Sequence, residues 1–235
     1  MKNILVVALL VVSSWFIFSQ DQSPSGKDPV NSFVVEVRLS GFEDASLWDI
    51  AMSPDEGVIS KATLKGAPKD LTDEDGPMIK RDKQFGIPNT YDKEKVLGIK
   101  VQYLRRGYNV FSIKPVKPIA IEGICESISV WIAGRNYKHT LKIIVKDFMD
   151  KDRIVYVDKL DFSGWRELLV SIPLNIKQYD YHFGDRRGIK FNGFVVECDF
   201  LETYGTYYVY FDELRAKTDV FMEYIRDADD MQDDW

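Results

Sequence analysis

Ser127-Ile128-Ser129-Val130-Trp131-Ile132-Ala133, Leu141-Lys142-Ile143-Ile144-Val145-Lys146-Asp147-Phe148 and Trp165-Arg166-Glu167-Leu168-Leu169-Val170-Ser171-Ile172 lie within one stretch, Ser127–Pro173, whose reading decides the fold. Ile128, Val130 and Ile132 alternate with Ser127, Ser129 and Trp131, the period-2 signature of a strand with one buried face. Leu141, Ile143 and Val145 alternate again, with His139, Lys142, Ile144 and Lys146 assigned to the other side. A fourth run, Ile154–Leu160, lies between the last two. Ala133-Gly134-Arg135-Asn136, the charged segment Asp147–Asp152 and Asp161-Phe162-Ser163-Gly164 separate the runs with turn residues. Short alternating runs about a dozen residues apart predict an antiparallel sandwich or barrel. No reactive constellation falls inside the stretch, which reads as a scaffold.

Alternation continues outward on both sides. Phe33–Leu39 predicts the first strand and Val58–Leu64 another, with Trp48 packing against the sheet edge. Val96–Arg105 and Tyr108–Lys114 form a pair joined by Arg106-Gly107, and Ile119–Ile124 opens a further run. Gly188–Asp199 alternates with Gly193 as a bulge, and Tyr204–Leu214 is the last strong strand. Two segments break the pattern. Gly66–Lys95 mixes prolines, glycines and both charges and reads as a long surface loop with at most one embedded strand. Asn175–Gly188 places Tyr179, Tyr181, His182 and Phe183 beside Asp180, Asp185, Arg186 and Arg187. Lys217–Asp227 reads as a short amphipathic helix, followed by an acidic tail to Trp235.

The 235 residues suit one domain plus appendages, and 45% hydrophobic with 13% aromatic content suffices for a packed core. A net charge of −6 argues against a nucleic-acid partner, which requires a concentrated positive surface. Met1-Lys2-Asn3 followed by the apolar Ile4–Val12 and Trp15–Phe18 predicts a secretory signal over residues 1–19, cleaved near Ser19 or Gln20. The apolar run is shorter than the roughly 20 residues of a membrane span, so no membrane association is expected after cleavage. Loss of Lys2 takes the net charge from −6 to −7. Residues 20–32 form a polar arm, 33–216 the sandwich domain with its loop at 66–95, and 217–235 the helix and tail.

Export bears on Cys125 and Cys198. In an oxidising compartment they are candidates for a disulfide closing a long loop; two buried free thiols are the alternative, and spacing does not decide between them. Asp73-Glu74-Asp75-Gly76 hints at a calcium loop, but the EF-hand spacing puts Leu71 at the first position and Asp82 at the twelfth. No phosphate loop, HExxH, CxxC or GxSxG motif is present. His139 falls on the assigned polar side of its strand, and His182 lies in an aromatic loop without a positioned nucleophile. No catalytic residue, cofactor or metal site is expected. On the last strand Tyr208 and Tyr210 share one side, and Tyr207, Val209 and Phe211 the other; one set is core and the other either a binding face or covered.

The series Ser129–Asn136, Leu141–Asp147, Asp161–Trp165, Ile172-Pro173, Ile176-Lys177-Gln178, Gly188–Asp199, Tyr208–Leu214 and Lys217–Phe221 resembles the outer-layer (sheath) proteins of spirochaete periplasmic flagellar filaments, the FlaA family. The similarity spans roughly Phe33 to Tyr224. It implies an all-β, antiparallel sandwich of the jelly-roll type also found in galactose- and carbohydrate-binding modules, with a short C-terminal helix. It further implies a periplasmic, non-enzymatic protein that coats a flagellin core, associates with other sheath proteins and copies of itself, and sets filament stiffness and coiling. The candidate interaction residues are Trp131, Tyr179, Tyr181, His182, Arg186, Arg187, Tyr208 and Tyr210. A periplasmic carbohydrate-binding module is the alternative, marked by an exposed coplanar pair among Trp131, Tyr208 and Tyr210.

Overall fold

The computed structural model describes residues 34–72, 76–87, 95–180, 182 and 188–220. The signal, arm, calcium-loop and tail expectations fall outside them, as do Tyr181, Arg186 and Arg187. Twelve strands form two antiparallel sheets among the described residues. In the first sheet the order is β10 (Ser163–Ser171), β7 (Ile124–Arg135), β12 (Thr206–Asp219), β4 (Lys95–Tyr103) and β3 (Gly57–Lys65), with β1 (Val34–Ser40) also on β12. In the second it is β2 (Trp48–Met52), β5 (Val110–Pro115), β11 (Ile189–Glu197), β8 (Thr140–Lys146) and β9 (Asp152–Lys159), with β6 (Ile119–Ile121) also on β11. The chain passes repeatedly between the sheets, as in a jelly roll.

The core lies between the inward faces. Leu97, Ile99 and Val101 of β4, Ile128, Val130 and Ile132 of β7, and Tyr207, Val209 and Phe211 of β12 meet Ile113, Leu141, Ile143, Phe191 and Phe194 from the second sheet. Phe42 stacks on Trp48, ring centres 4.5 Å apart, sealing the core beneath β2. The set of the last strand that faces inward is therefore Tyr207, Val209 and Phe211. Gly193 sits at a register break in the β11–β8 pair, with φ 125°, as its placement in the alternating run predicts.

β12 runs past Leu214 to Asp219, so Lys217–Asp219 belong to a strand and not to a helix. Its C-terminal half is held by β1 on one side and β7 on the other. Between Asp212, opposite Trp131, and Arg215, opposite Ser129, β12 carries one residue more than β7, and Glu213 takes φ 43°. This bulge inverts the alternation: beyond it Leu214 and Ala216 point inward, and Arg215 points out.

The long excursion is not a bare loop. It contains α1 (Lys69–Thr72) and α2 (Pro77–Phe85). Pro77 opens α2, where its missing N–H costs nothing, and Gly86 closes it in the left-handed region at φ 67°. Met78, Ile79 and Asp82 are buried on one side of the helix. Those positions are helically spaced, but the charged residues around them hide the pattern.

Candidate functional site: the outer face of the first sheet

The outward positions of β7, β10, β12 and β1 form a broad face. Its centre is covered by the excursion. Leu71 and Met78 pack on Trp131, which is only 7% exposed, with Trp165 beside it. Trp131 Nε1 is buried without a hydrogen-bond partner, which fits an indole held for its apolar surface. Ser127 and Ser129, on the nominally polar side of β7, are buried as well.

Beneath α2 lies a charge network. Arg215 is 0% exposed; it pairs with Asp82 of α2, and its Nη2 lies 3.0 Å from Glu213 Oε2. Arg81 bridges Glu36 at 3.0 Å and Glu167 at 2.7 Å, so α2 is tied to both β1 and β10. Arg38 continues the chain to Glu213 and Glu43. Burial alone would lower the Arg215 pKa, but Asp82, Glu213 and Glu36 outweigh it and hold the guanidinium charged. Burial also raises the Glu36 carboxyl, against the pull of Arg81 and Arg215. Asp212 has no such cation in contact: burial first, then the neighbouring Glu213, pushes its carboxyl up to about 8.

On either side of the cap the face stays open. One flank is a cleft of about 530 Å³ lined by Arg81, Phe85, Ser127, Ser129, Glu167 and Ser171, among others. The other carries Tyr208, 36% exposed, and the half-buried Tyr210. Tyr210 lies over Gly98, where a Cβ would stand 3.3 Å from its ring.

Of the sequence-derived candidates, Tyr208 and Tyr210 are neighbours, whereas Trp131 is under the helices and forms no exposed coplanar pair with them. Tyr179 and His182 lie beside Cys125 and Gln178 near the far end of β12, away from Tyr208. The His182 backbone N–H donates to Asp180 Oδ1 at 2.9 Å. His139 is a correction: it is 0% exposed. It shares the parity of Leu141, Ile143 and Val145, so it belongs to their inward side. Its Nε2 lies 2.9 Å from the Tyr103 hydroxyl, and burial lowers its pKa to about 4.

The cysteines are free and buried, at opposite ends of the sandwich. Cys125 starts β7 and contacts the Ser127 carbonyl; Cys198 follows β11 and lies 3.2 Å from the Tyr103 hydroxyl. A disulfide needs Cα atoms within about 7 Å, so no bridge joins them. Burial raises both thiols to about 12. Among the described residues no cluster of three or more His, Cys, Asp or Glu is placed to hold a metal, and no helix is long and apolar enough to cross a membrane. The buried ion network escaped the sequence reading, because the bulge that turns Arg215 outward leaves no local signature.

Comparison with known proteins places this arrangement. The model of a family described as flagellar filament outer layer protein FlaA matches residues 42–226. A flagellar filament outer layer-like protein of Brachyspira hyodysenteriae is 36% identical over 217 residues, covering 92% of this chain and 94% of that protein. Among solved structures, a family 61 carbohydrate-binding module in complex with β-1,4-galactotriose aligns over 74% of this chain and 91% of its own at 14% identity, TM-score 0.41. A Clostridium thermocellum family 11 module aligns over 78% of this chain and 95% of its own at 10% identity, TM-score 0.40.

Proposed function

The chain belongs to the FlaA family of flagellar filament outer layer proteins, and we propose that it is a non-enzymatic sheath subunit of the periplasmic flagellum. In this reading it is exported, coats the flagellin core with other sheath proteins and copies of itself, and shapes filament stiffness and coiling. The observation that carries the reading is the α1–α2 cap. The aromatic residues at the centre of the sheet, Trp131 and Trp165, are engaged by the protein's own helices, which makes the centre of the face a packed wall. His139 supports the non-enzymatic part, since both ring nitrogens are engaged inside the core.

Loops at one end of the sandwich also offer surface for subunit contacts. Leu104 and Tyr108, after β4, and Phe200, Leu201 and Tyr204, after β11, are each at least 54% exposed. The Gly107 N–H donates to Thr203 Oγ1 at 3.0 Å, so the two loops form one unit. Exposed apolar groups gathered in this way mark protein contacts, and a coat needs head-to-tail contacts that do not close into a ring.

The test is deletion of the gene followed by electron microscopy of purified filaments. Thinner filaments with altered curvature are expected; filaments unchanged in both respects would refute the sheath role. A second reading, a periplasmic carbohydrate-binding module, draws on the cleft beside α2, where three serines, Glu167 and Arg81 stand next to the Phe85 ring. Saturable binding of soluble β-glycans in calorimetry, abolished by Phe85→Ala, would favour it.

A further inference from the structure

Three cations near the β4–β12 ladder lie against tyrosine rings. The Arg135 guanidinium is 5.7 Å from the ring centre of Tyr208 and 5.6 Å from that of Tyr210, and it donates to the Tyr210 hydroxyl at 3.2 Å. The Lys100 ammonium stands 5.9 Å from the Tyr208 centre, on the opposite flank of β12. Arg106 is 5.9 Å from the centre of Tyr204, beyond the loop end of the ladder. Arg38, Arg81, Arg105, Arg153 and Arg215 all pair with carboxylates. Arg135, Lys100 and Arg106 have no ion pair among the described residues. The carboxyl nearest the strip along β12, Asp212, is 3% exposed and held largely protonated near neutral pH. The strip is therefore a positive, aromatic surface without an ion-paired carboxylate among the described residues.

The same chain carries an acidic complement. Residues 227–235 read Asp-Ala-Asp-Asp-Met-Gln-Asp-Asp-Trp, five aspartates with no Lys or Arg. The strip lies at the start of β12, whereas the segment follows its end in sequence. Tyr208 stands near its start and Asp219 at its end, eleven residues or roughly 36 Å apart. Residue 227 lies eight positions beyond Asp219, at most about 29 Å of chain. Asp227 therefore cannot return to its own Tyr208, Asp229 and Asp230 could do so only with the chain fully extended, and only Asp233 and Asp234 have length to spare.

We propose that the strip formed by Lys100, Arg135, Tyr208 and Tyr210 is the docking surface for the aspartate-rich segment, residues 227–235, of a second copy of this chain joined head to tail. Carboxylates replace the missing counter-charge on Arg135 and Lys100, and Trp235 offers a ring for the tyrosine faces. The contact is heterologous, so it repeats along a line and does not stop at a dimer. It goes beyond the sheath role, because it specifies subunit–subunit contact and not contact with the core.

The test uses the mature full-length chain and a fluorescein-labelled synthetic peptide of residues 221–235, followed by anisotropy. Saturable binding that weakens at least about tenfold between low and high salt is expected. Lys100→Glu with Arg135→Glu should weaken it at least about tenfold again, without lowering the melting temperature. A peptide with its five aspartates replaced by lysine should bind that double variant better than it binds the wild type. Equal peptide binding by wild type and double variant would overturn the docking. Sedimentation velocity reads the in-trans part: an average mass independent of concentration would overturn it even if the peptide binds. Co-sedimentation with purified flagellin filaments separates this inference from the sheath role. Wild-type chain absent from the filament pellet would count against the sheath role alone, and a double variant that coats filaments as densely and as cooperatively as wild type against the docking alone.

Discussion

The Nδ1 of His139 accepts the backbone N–H of Asp199 at 3.1 Å, and this fixes the tautomer of a fully buried imidazole. The proton resides on Nε2, which donates to the Tyr103 hydroxyl at 2.9 Å; that hydroxyl is then free to donate to the Cys198 sulfur at 3.2 Å. A second proton on Nδ1 would confront the Asp199 N–H, and burial opposes the charge.

The folded-state pKa of about 4 lies below the ordinary 6.5, so the unfolded chain binds the extra proton more readily. Stability is then full above about pH 6.5 and declines as pH falls towards 4. Each pKa unit corresponds to about 1.4 kcal/mol, so the loss is on the order of 2–3 kcal/mol. Urea unfolding at pH 7.5 and pH 4.5 should show it. His139→Gln should be less stable at neutral pH but flatter across that window, and an equally steep decline in the variant would rule the histidine out as its source.

Asp212 has the opposite sign. Its carboxyl is raised from 3.8 to about 8, so the folded chain holds a proton that the unfolded chain releases. Stability is lost as pH rises between about 4 and 8. Asp212→Asn keeps the acceptor for the Glu213 N–H, a bond of 2.9 Å, and removes the ionisation. The variant should gain thermal stability over wild type at pH 9 by on the order of a few kcal/mol. At pH 3, where the carboxyl is largely protonated in both the folded and the unfolded chain, the two should melt together; a gain of equal size at both pH values would point to a cause other than ionisation.

Beneath α2 Arg215 stands among Asp82, Glu213 and Glu36, sharing Glu213 with Arg38 and Glu36 with Arg81. Removing one partner of a buried pair leaves uncompensated charge, at a typical cost of 3–5 kcal/mol. Arg215→Met should fall in that range in denaturant unfolding. Combining it with Asp82→Asn should be clearly less destabilising than the sum of the two changes. Strict additivity would mean that Asp82 and Arg215 are not coupled.

Met78 is the apolar contact of α2 with Trp131. Met78→Ala opens a void over the indole and should cost about 2–4 kcal/mol. The emission of the protein should shift to the red as Trp131 becomes wetter. Unchanged emission with unchanged stability would show that the helix does not cover that ring.

The strands were legible because one face of each is buried. Ser127–Ala133 and Leu141–Val145 place apolar residues at every second position of the buried face, and the ladders follow those runs. What escaped depended on partners distant in sequence. Trp131 looks outward by parity, yet a helix more than forty residues earlier covers it. Pro77 and Gly86 marked the ends of that helix, but the intervening Lys80, Arg81, Asp82 and Lys83 gave it the composition of a loop. His139 was legible through its shared parity with Leu141; its polarity misdirected the assignment. Arg215 was not legible at all, since an alternation extended from Val209 and Phe211 would point it into the core.

The bulge at Glu213 also has a mechanical meaning. β12 is bonded along its length to β7, β4 and β1, so bending or tension on the domain reaches those ladders as shear. A plain strand yields to shear by sliding one residue. Here a slide would carry the Arg215 guanidinium among Phe211, Leu214 and Ile128, a transfer opposed by several kcal/mol of desolvation. β12 should therefore resist load as a ratcheted spine. Pulling on its two ends in a force spectrometer should give one abrupt rupture, and deletion of Glu213 should replace it with gradual yielding at lower force.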